Sequence, residues 1–249
     1  MVAFSYANSP YPIRKDLGTA YRDFWDKLAN AGTWWSGAER VAIAAEVRQA
    51  TQCAYCAERK LALSPYNVPG EHTAAAATPL TNSAIDAVHR IVTDQTRITE
   101  SWIRNNAQQD LPEGKYVELI GIVVCAFGID EFHRALGLPL EPLPVPVEGE
   151  PSRYVPKGLE NDTAMVAMIR DGQGGPEEGE LWPAGGSANV VRALSQVPDA
   201  VREWIAVSDA QYLPLETIRN PGAETERVLN RMQIEIVAAR VSSHNECFY

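Results

Sequence analysis

The sequence predicts an all-α protein on three observations. Apolar residues recur at the i, i+3, i+4 spacing of a helix face over most of the chain, and no stretch alternates with the period of a half-buried strand. Proline and glycine gather in the middle of the chain and leave helix-compatible sequence on both sides. With 249 residues, 45% of them apolar, the chain is long enough to bury a sizeable core in one large or two small domains.

Leu17, Ala20, Tyr21, Phe24, Trp25 and Leu28 form one buried face, with Arg22, Asp23, Asp26 and Lys27 around the rest of the barrel. Further helices are expected from about Glu39 to Ala50, Cys53 to Leu63, Ser83 to Thr93 and Gly114 to Leu136, the last apolar enough to lie in a core. Leu138 to Gly158 then brings six prolines, which helix cannot tolerate, so the backbone is pushed to extended geometry. Asp171 to Gly186 continues this stretch with glycines and with Glu177, Glu178 and Glu180, a loop too poor in apolar residues to form a core alone. Helix is expected again after Ser187, a suitable cap, through Val190, Val191 and Leu194, and from Asp199 to Ser208 with Val201, Trp204 and Ile205. A last helix from about Glu224 to Val241 is expected to bury Val228, Leu229, Met232 and Ile236. The organisation expected is a helical unit over 1–140, a Pro/Gly-rich linker or arm over 141–186, and a smaller helical unit over 187–249.

A net charge of -10 and a pI near 4.9 argue against a broad electrostatic footprint for nucleic acid or anionic lipid, and neither is expected as a partner. The longest apolar run, Val117 to Ile129, contains Glu118 and is too short to cross a bilayer. Met1 to Lys15 lacks the apolar stretch of a secretory signal, so a cytoplasmic location is expected.

Four cysteines, two of them in Cys53-Ala54-Tyr55-Cys56, fit catalytic or metal use in a reducing compartment better than a disulfide framework. Two thiols at this spacing can close a disulfide locally, and the helix amino terminus expected there favours the thiolate. Glu46 is a candidate base, since it lies seven residues before Cys53 and would share its face if the helix ran on unbroken. Thr51-Gln52 is where that register can break. Lys60, with Arg59, lies about one turn past Cys56 and could stabilise a thiolate by charge alone. The same pair could be two small core residues, or half of a zinc site that needs two more ligands. His72 is the nearest histidine, on a loop. His89 and His133 fall in helical patterns that suit packed or surface roles, and Cys125 in its apolar run reads as core. No metal or cofactor is assigned.

The carboxyl-terminal region echoes the first motif. Aligning Cys247 on Cys53 brings Ala238-Ala239 onto Ala44-Ala45, Val241 onto Val47 and Tyr249 onto Tyr55, each offset by 194 residues, with an apolar helix leading in both times. The sequence ends one residue before the position matching Cys56. The Cys-x-x-Cys after an apolar helix, and the tail Gln233 to Val241 leading to Asn245-Glu246-Cys247-Phe248-Tyr249, resemble the alkylhydroperoxidase AhpD-like and carboxymuconolactone decarboxylase superfamily, in particular its two-repeat peroxidase-related members. The resemblance covers roughly 17–137 as one full repeat and 187–249 as a partial second.

That resemblance implies an AhpD-like helical bundle that self-associates into a homo-oligomer. It implies a thiol-dependent peroxidase acting on small hydroperoxides and reduced by an external dithiol or lipoyl-type carrier. By resemblance Cys56 is the attacking thiol and Cys53 the resolving one; physical reasoning alone favours Cys53, nearer the helix start. The family pattern places a glutamate twelve residues before the first cysteine and a histidine four after the second, but those positions hold Val41 and Lys60. Glu235 does stand twelve residues before Cys247, which makes Glu235 and Cys247 a possible second site. The alternatives are a lactone decarboxylase-like enzyme, or a non-catalytic ligand-binding or assembly protein that has kept the fold.

Overall fold

The computed structural model describes residues 3–161, 163–170, 173–182, 186–220, 222, 227–245 and 247. Helix accounts for 53% of the residues and strand for 2%, so the chain is all-α as its periodicity predicts. The helices are α1 (Lys15–Ala29), α2 (Gly37–Ala50), α3 (Ala54–Leu61), α4 (Asn82–Thr93), α5 (Glu100–Ala107), α6 (Glu113–Ala135), α7 (Asn189–Arg192), α8 (Pro198–Gln211), α9 (Leu215–Arg219) and α10 (Arg231–His244). No helix among the described residues is long and apolar enough to cross a membrane.

α6 is the central element, since Tyr116, Val117, Leu119, Ile122, Val123, Ala126 and Ile129 are all buried on it and α2, α4 and α8 pack around it. Each such aliphatic side chain removed from water contributes about 1.5–3 kcal/mol, which commits α6 to the interior. Close approach of α8 depends on Gly121, where a Cβ would stand 2.9 Å from that of Ala200. α1 presents Leu17, Tyr21, Phe24, Trp25 and Leu28 to the core, the face its spacing predicts. α2 starts sharply because Ser36 and Glu39 form a reciprocal capping box. The sequence reading missed α5 and α9: only Trp102 and Ile103 mark the inner side of α5, too few for periodicity, and its start is set by the Thr99 side chain accepting from the Trp102 amide.

In the proline-rich stretch the Val147, Ser152 and Arg153 amides donate to the carbonyls of Ala29, Gly32 and Thr33, and the Trp25 indole donates to Pro142. Strand is confined, among the described residues, to β1 (Leu159–Glu160) paired antiparallel with β2 (Met168–Ile169), too short to show alternation, and Met168 and Ile169 are buried. α7 is capped by Ala188 rather than Ser187. Val191, Leu194, Val197, Val201, Val207 and Ala210 enter the same core as α1, α2 and α6, so the span expected as a second unit shares the first unit's interior.

α10 also departs from its predicted pattern. It begins at Arg231, capped by Asn230, and Val228, Leu229, Met232 and Ile236 are exposed rather than buried. The start expected at Glu224 and the Phe248-Tyr249 end of the repeat lie outside the described residues. One buried charge cluster ties the bundle together: Arg40 on α2 meets Glu118 on α6 at 2.5 Å and Glu203 on α8 at 3.1 Å.

Candidate dithiol–dihistidine site

The helix leading to the cysteines breaks where Thr51-Gln52 predicts. α2 ends at Ala50, the Gln52 and Cys53 amides close a turn onto Gln49 and Ala50, and Cys53 becomes the N-cap residue of α3 with Cys56 in its first turn. Glu46 therefore does not reach the sulfurs along one continuous face. It lies fully buried on α2 against α4, and acts on them only through a histidine.

That histidine is His89. Its Nδ1 stands 3.1 Å from Cys56 Sγ, and its Nε2 stands 2.8 Å from Glu46 Oε1, while the other Glu46 oxygen accepts the Ala75 amide at 2.9 Å. A second histidine approaches from the loop between α3 and α4. His72 Nδ1 is 3.4 Å from Cys56 Sγ and 3.9 Å from Cys53 Sγ, and its Nε2 is 3.0 Å from Asp86 Oδ1. An ionised carboxylate only accepts hydrogen bonds, so each Nε2 carries its ring proton and each Nδ1 turns a lone pair toward the sulfurs. The four donors of Cys53, Cys56, His72 and His89 lie within 4.8 Å of one another.

α4 sets this geometry with one face. Asp86, His89 and Arg90 fall at i, i+3 and i+4, and Arg90 Nε donates to Asp86 at 2.7 Å while the Trp102 indole donates to the same carboxylate at 3.2 Å. Burial works to raise the Asp86 carboxyl, but the hydrogen bond from His72 and the charge of Arg90 outweigh it and bring the pKa down to about 2. Tyr55 backs the loop: its ring meets the His72 ring edge-on at 5.1 Å and lies under the Arg59 guanidinium at 5.0 Å. Gly70, at φ +145, lets the loop pass over it, because a Cβ there would stand 2.8 Å from the Tyr55 ring.

Both sulfurs are covered, Cys53 at 3% and Cys56 at 2% exposure, which does not distinguish Cys53 as the more accessible thiol. Burial pushes the Cys56 thiol up to about 11, with the neighbouring Cys53 adding to the rise and Thr93 and Arg97 drawing it part of the way back. Arg97 is itself buried, and its two terminal nitrogens have no hydrogen-bond partner. The cationic charge that draws the Cys56 thiol down is that of Arg97, while Lys60 is exposed and Arg59 turns to the Pro65 carbonyl and toward Asp86. A cavity of about 290 Å³ opens beside the site, lined by Tyr55, Arg59, His72, Asn82 and Asp86 among others.

Of the residues the sequence singles out, Cys53, Cys56 and His72 come together with Glu46 joined to them through His89, and Lys60 is exposed. The helical pattern around His89 suits a packed or surface role; its signal is the pairing with Asp86 on one helical face, visible only once α4 is known to face α3. Cys125 is buried core as read, and burial raises its thiol well above the ordinary range. His133 packs between the Tyr6 hydroxyl and the Pro139 carbonyl. At the proposed second site, Glu235 is drawn below the usual carboxylate range by the Tyr212 hydroxyl and by Arg231, and Cys247 is exposed beyond the end of α10. Comparison with protein-family models, with curated proteins and with solved structures finds no match to this chain.

Proposed function

We propose that the protein is a thiol-dependent peroxidase or thiol oxidoreductase that reduces small hydroperoxides through Cys53 and Cys56. The reading rests on one observation, the buried line Glu46–His89–Cys56. It offers a proton relay in place of the AhpD-like positions that hold Val41 and Lys60, with the carboxylate five residues further along the same helix, α2, and the histidine on α4 rather than α3.

In this reading His89 Nδ1 takes the Cys56 proton, Glu46 stabilises the imidazolium, and Arg97 stabilises the thiolate. The thiolate attacks the distal oxygen of the hydroperoxide, forming a Cys56 sulfenic acid as the O–O bond breaks; the alkoxide takes a proton from His89 and leaves as alcohol. Cys53 then attacks the sulfenic sulfur and water leaves, giving a Cys53–Cys56 disulfide that an external dithiol or lipoyl-type carrier reduces. The cavity beside His72 and Tyr55 is the approach for substrate. An AhpD-like bundle in a homo-oligomer, in a reducing cytoplasm, is the setting this chemistry suits.

A single equivalent of hydroperoxide, added to reduced, chelator-treated protein, tests it. Peptide mass mapping is expected to show a Cys53–Cys56 disulfide with Cys125 untouched. Both Cys53 and Cys56 remaining as thiols would end the proposal. The near-complete burial of both sulfurs favours the second reading, a non-catalytic protein that keeps the fold, and that same result would select it.

A further inference from the structure

The relay uses His89 and leaves a second histidine–carboxylate pair unexplained. His72 and Asp86 point another Nδ1 lone pair at the same two sulfurs, and a peroxidase has no step for it. We propose that Cys53, Cys56, His72 and His89 form a Zn2+ site, two thiolates and two imidazoles in a closed tetrahedron. The proposal goes beyond the peroxidase reading and does not depend on it.

The donor geometry matches the ion. With Zn–S of about 2.3 Å and Zn–N of about 2.0–2.1 Å, the edges of a regular S2N2 tetrahedron are roughly 3.3–3.8 Å. The edges here are 3.1 Å for Cys56–His89, 3.4 Å for Cys56–His72 and 3.9 Å for Cys53–His72, and every remaining pair lies within 4.8 Å. Side-chain adjustments of up to about an ångström close the set. The outer shell is in place as well. A metal-bound histidine orients itself by donating its other N–H to a carboxylate, and here both do so, His72 to Asp86 and His89 to Glu46. Those carboxylates are held in turn by Arg90 and by the Ala75 amide.

Charge favours a dication. Two thiolates neutralise Zn2+, and a cation among the sulfurs removes the cost of ionising thiols away from water. The donors are two soft sulfurs and two imidazoles with no carboxylate among them, which selects Zn2+ over Mg2+, Ca2+ or Mn2+. All four ligand positions are supplied by the chain, so no open position is left for a hydrolytic water and the ion acts by holding structure. It would pin α3 and the loop carrying His72 onto α4. Loading also withdraws both thiols from redox chemistry, so the metal-free and loaded proteins are expected to differ in peroxide sensitivity.

The test is titration of the reduced, metal-free full chain with Co2+, read by absorption. One Co2+ per chain is expected, with thiolate-to-cobalt charge-transfer bands and the intense visible bands of a tetrahedral ion, all discharged by one equivalent of Zn2+. His72→Ala is expected to weaken binding at least 10-fold and to change the visible bands. Asp86→Asn is expected to weaken it about 10- to 100-fold with the spectrum retained, and Cys125→Ser to leave it unchanged. If His72→Ala fails to fold, by circular dichroism, His72→Gln takes its place. Absence of a charge-transfer band, octahedral cobalt, or affinity indifferent to His72 would overturn the metal site. The peroxide experiment on metal-free parent protein is read separately, so either proposal can fail while the other stands.

Discussion

Glu46→Gln probes the relay with almost no change of volume. The glutamine has one acceptor and one donor where the glutamate has two acceptors. The Ala75 amide, at 2.9 Å, can only donate, so it takes the glutamine oxygen and leaves the NH2 group facing His89 Nε2 at the 2.8 Å position. His89 must then accept at Nε2 and carry its proton on Nδ1, the atom 3.1 Å from Cys56 Sγ. A ring in that tautomer cannot take the thiol proton. Loss of a positioned general base costs about 10²- to 10⁴-fold, or about 3–5 kcal/mol in activation free energy. Both hydrogen bonds survive as neutral ones, so the stability loss is expected to be only about 1 kcal/mol, roughly 2–4 °C in Tm. Stopped-flow oxidation of chelator-treated, reduced protein by hydroperoxide measures the first number and calorimetry the second. Oxidation at the parent rate in a folded variant would refute the tautomer argument, and with it the role given to His89.

Arg97→Met is expected to slow the same oxidation about 10-fold or more, while Lys60→Ala does not; the reverse ranking would return thiolate stabilisation to the position the sequence suggested. Arg40→Met strands Glu118 and Glu203, whose carboxyls burial already raises, and is expected to cost about 3–5 kcal/mol by urea unfolding. Because a raised carboxyl binds its proton more tightly folded than unfolded, that loss is expected to be smaller at pH 5 than at pH 8. Burial holds the Tyr21 phenol up at about 12 against an ordinary 10.0. The unfolded chain releases that proton first, so stability is intact below pH 10 and falls as pH climbs toward 12, by about 3 kcal/mol for this group alone. Ultraviolet titration is expected to show Tyr21 ionising only with unfolding.

Much of the bundle is legible in the sequence because amphipathic helices announce themselves: α1, α2, α4, α6 and α8 fall where apolar periodicity places them. α5 is not legible, since one inward turn gives no period, and α10 misleads, since its apolar stripe has the spacing of a buried face yet is exposed. The break at Thr51-Gln52 could be anticipated, and it decides what Glu46 can do. Which histidines meet the sulfurs could not be read, because His72 and His89 lie 16 and 33 residues beyond Cys56 and are brought back by a loop and by the packing of α3 on α4. Chain separation carries no information about that return.

The contact at Gly121 and Ala200 has a bearing on how the molecule can be cut down for study. A fragment trimmed to the motif-bearing first 140 residues would lose α8, the helix that packs along α6 at Gly121 and Gly128, and would bare that face of α6 to water. The cysteines and their histidines sit in that fragment, yet α6, the helix on which α2 and α4 pack, is covered by an element from the far end of the polypeptide.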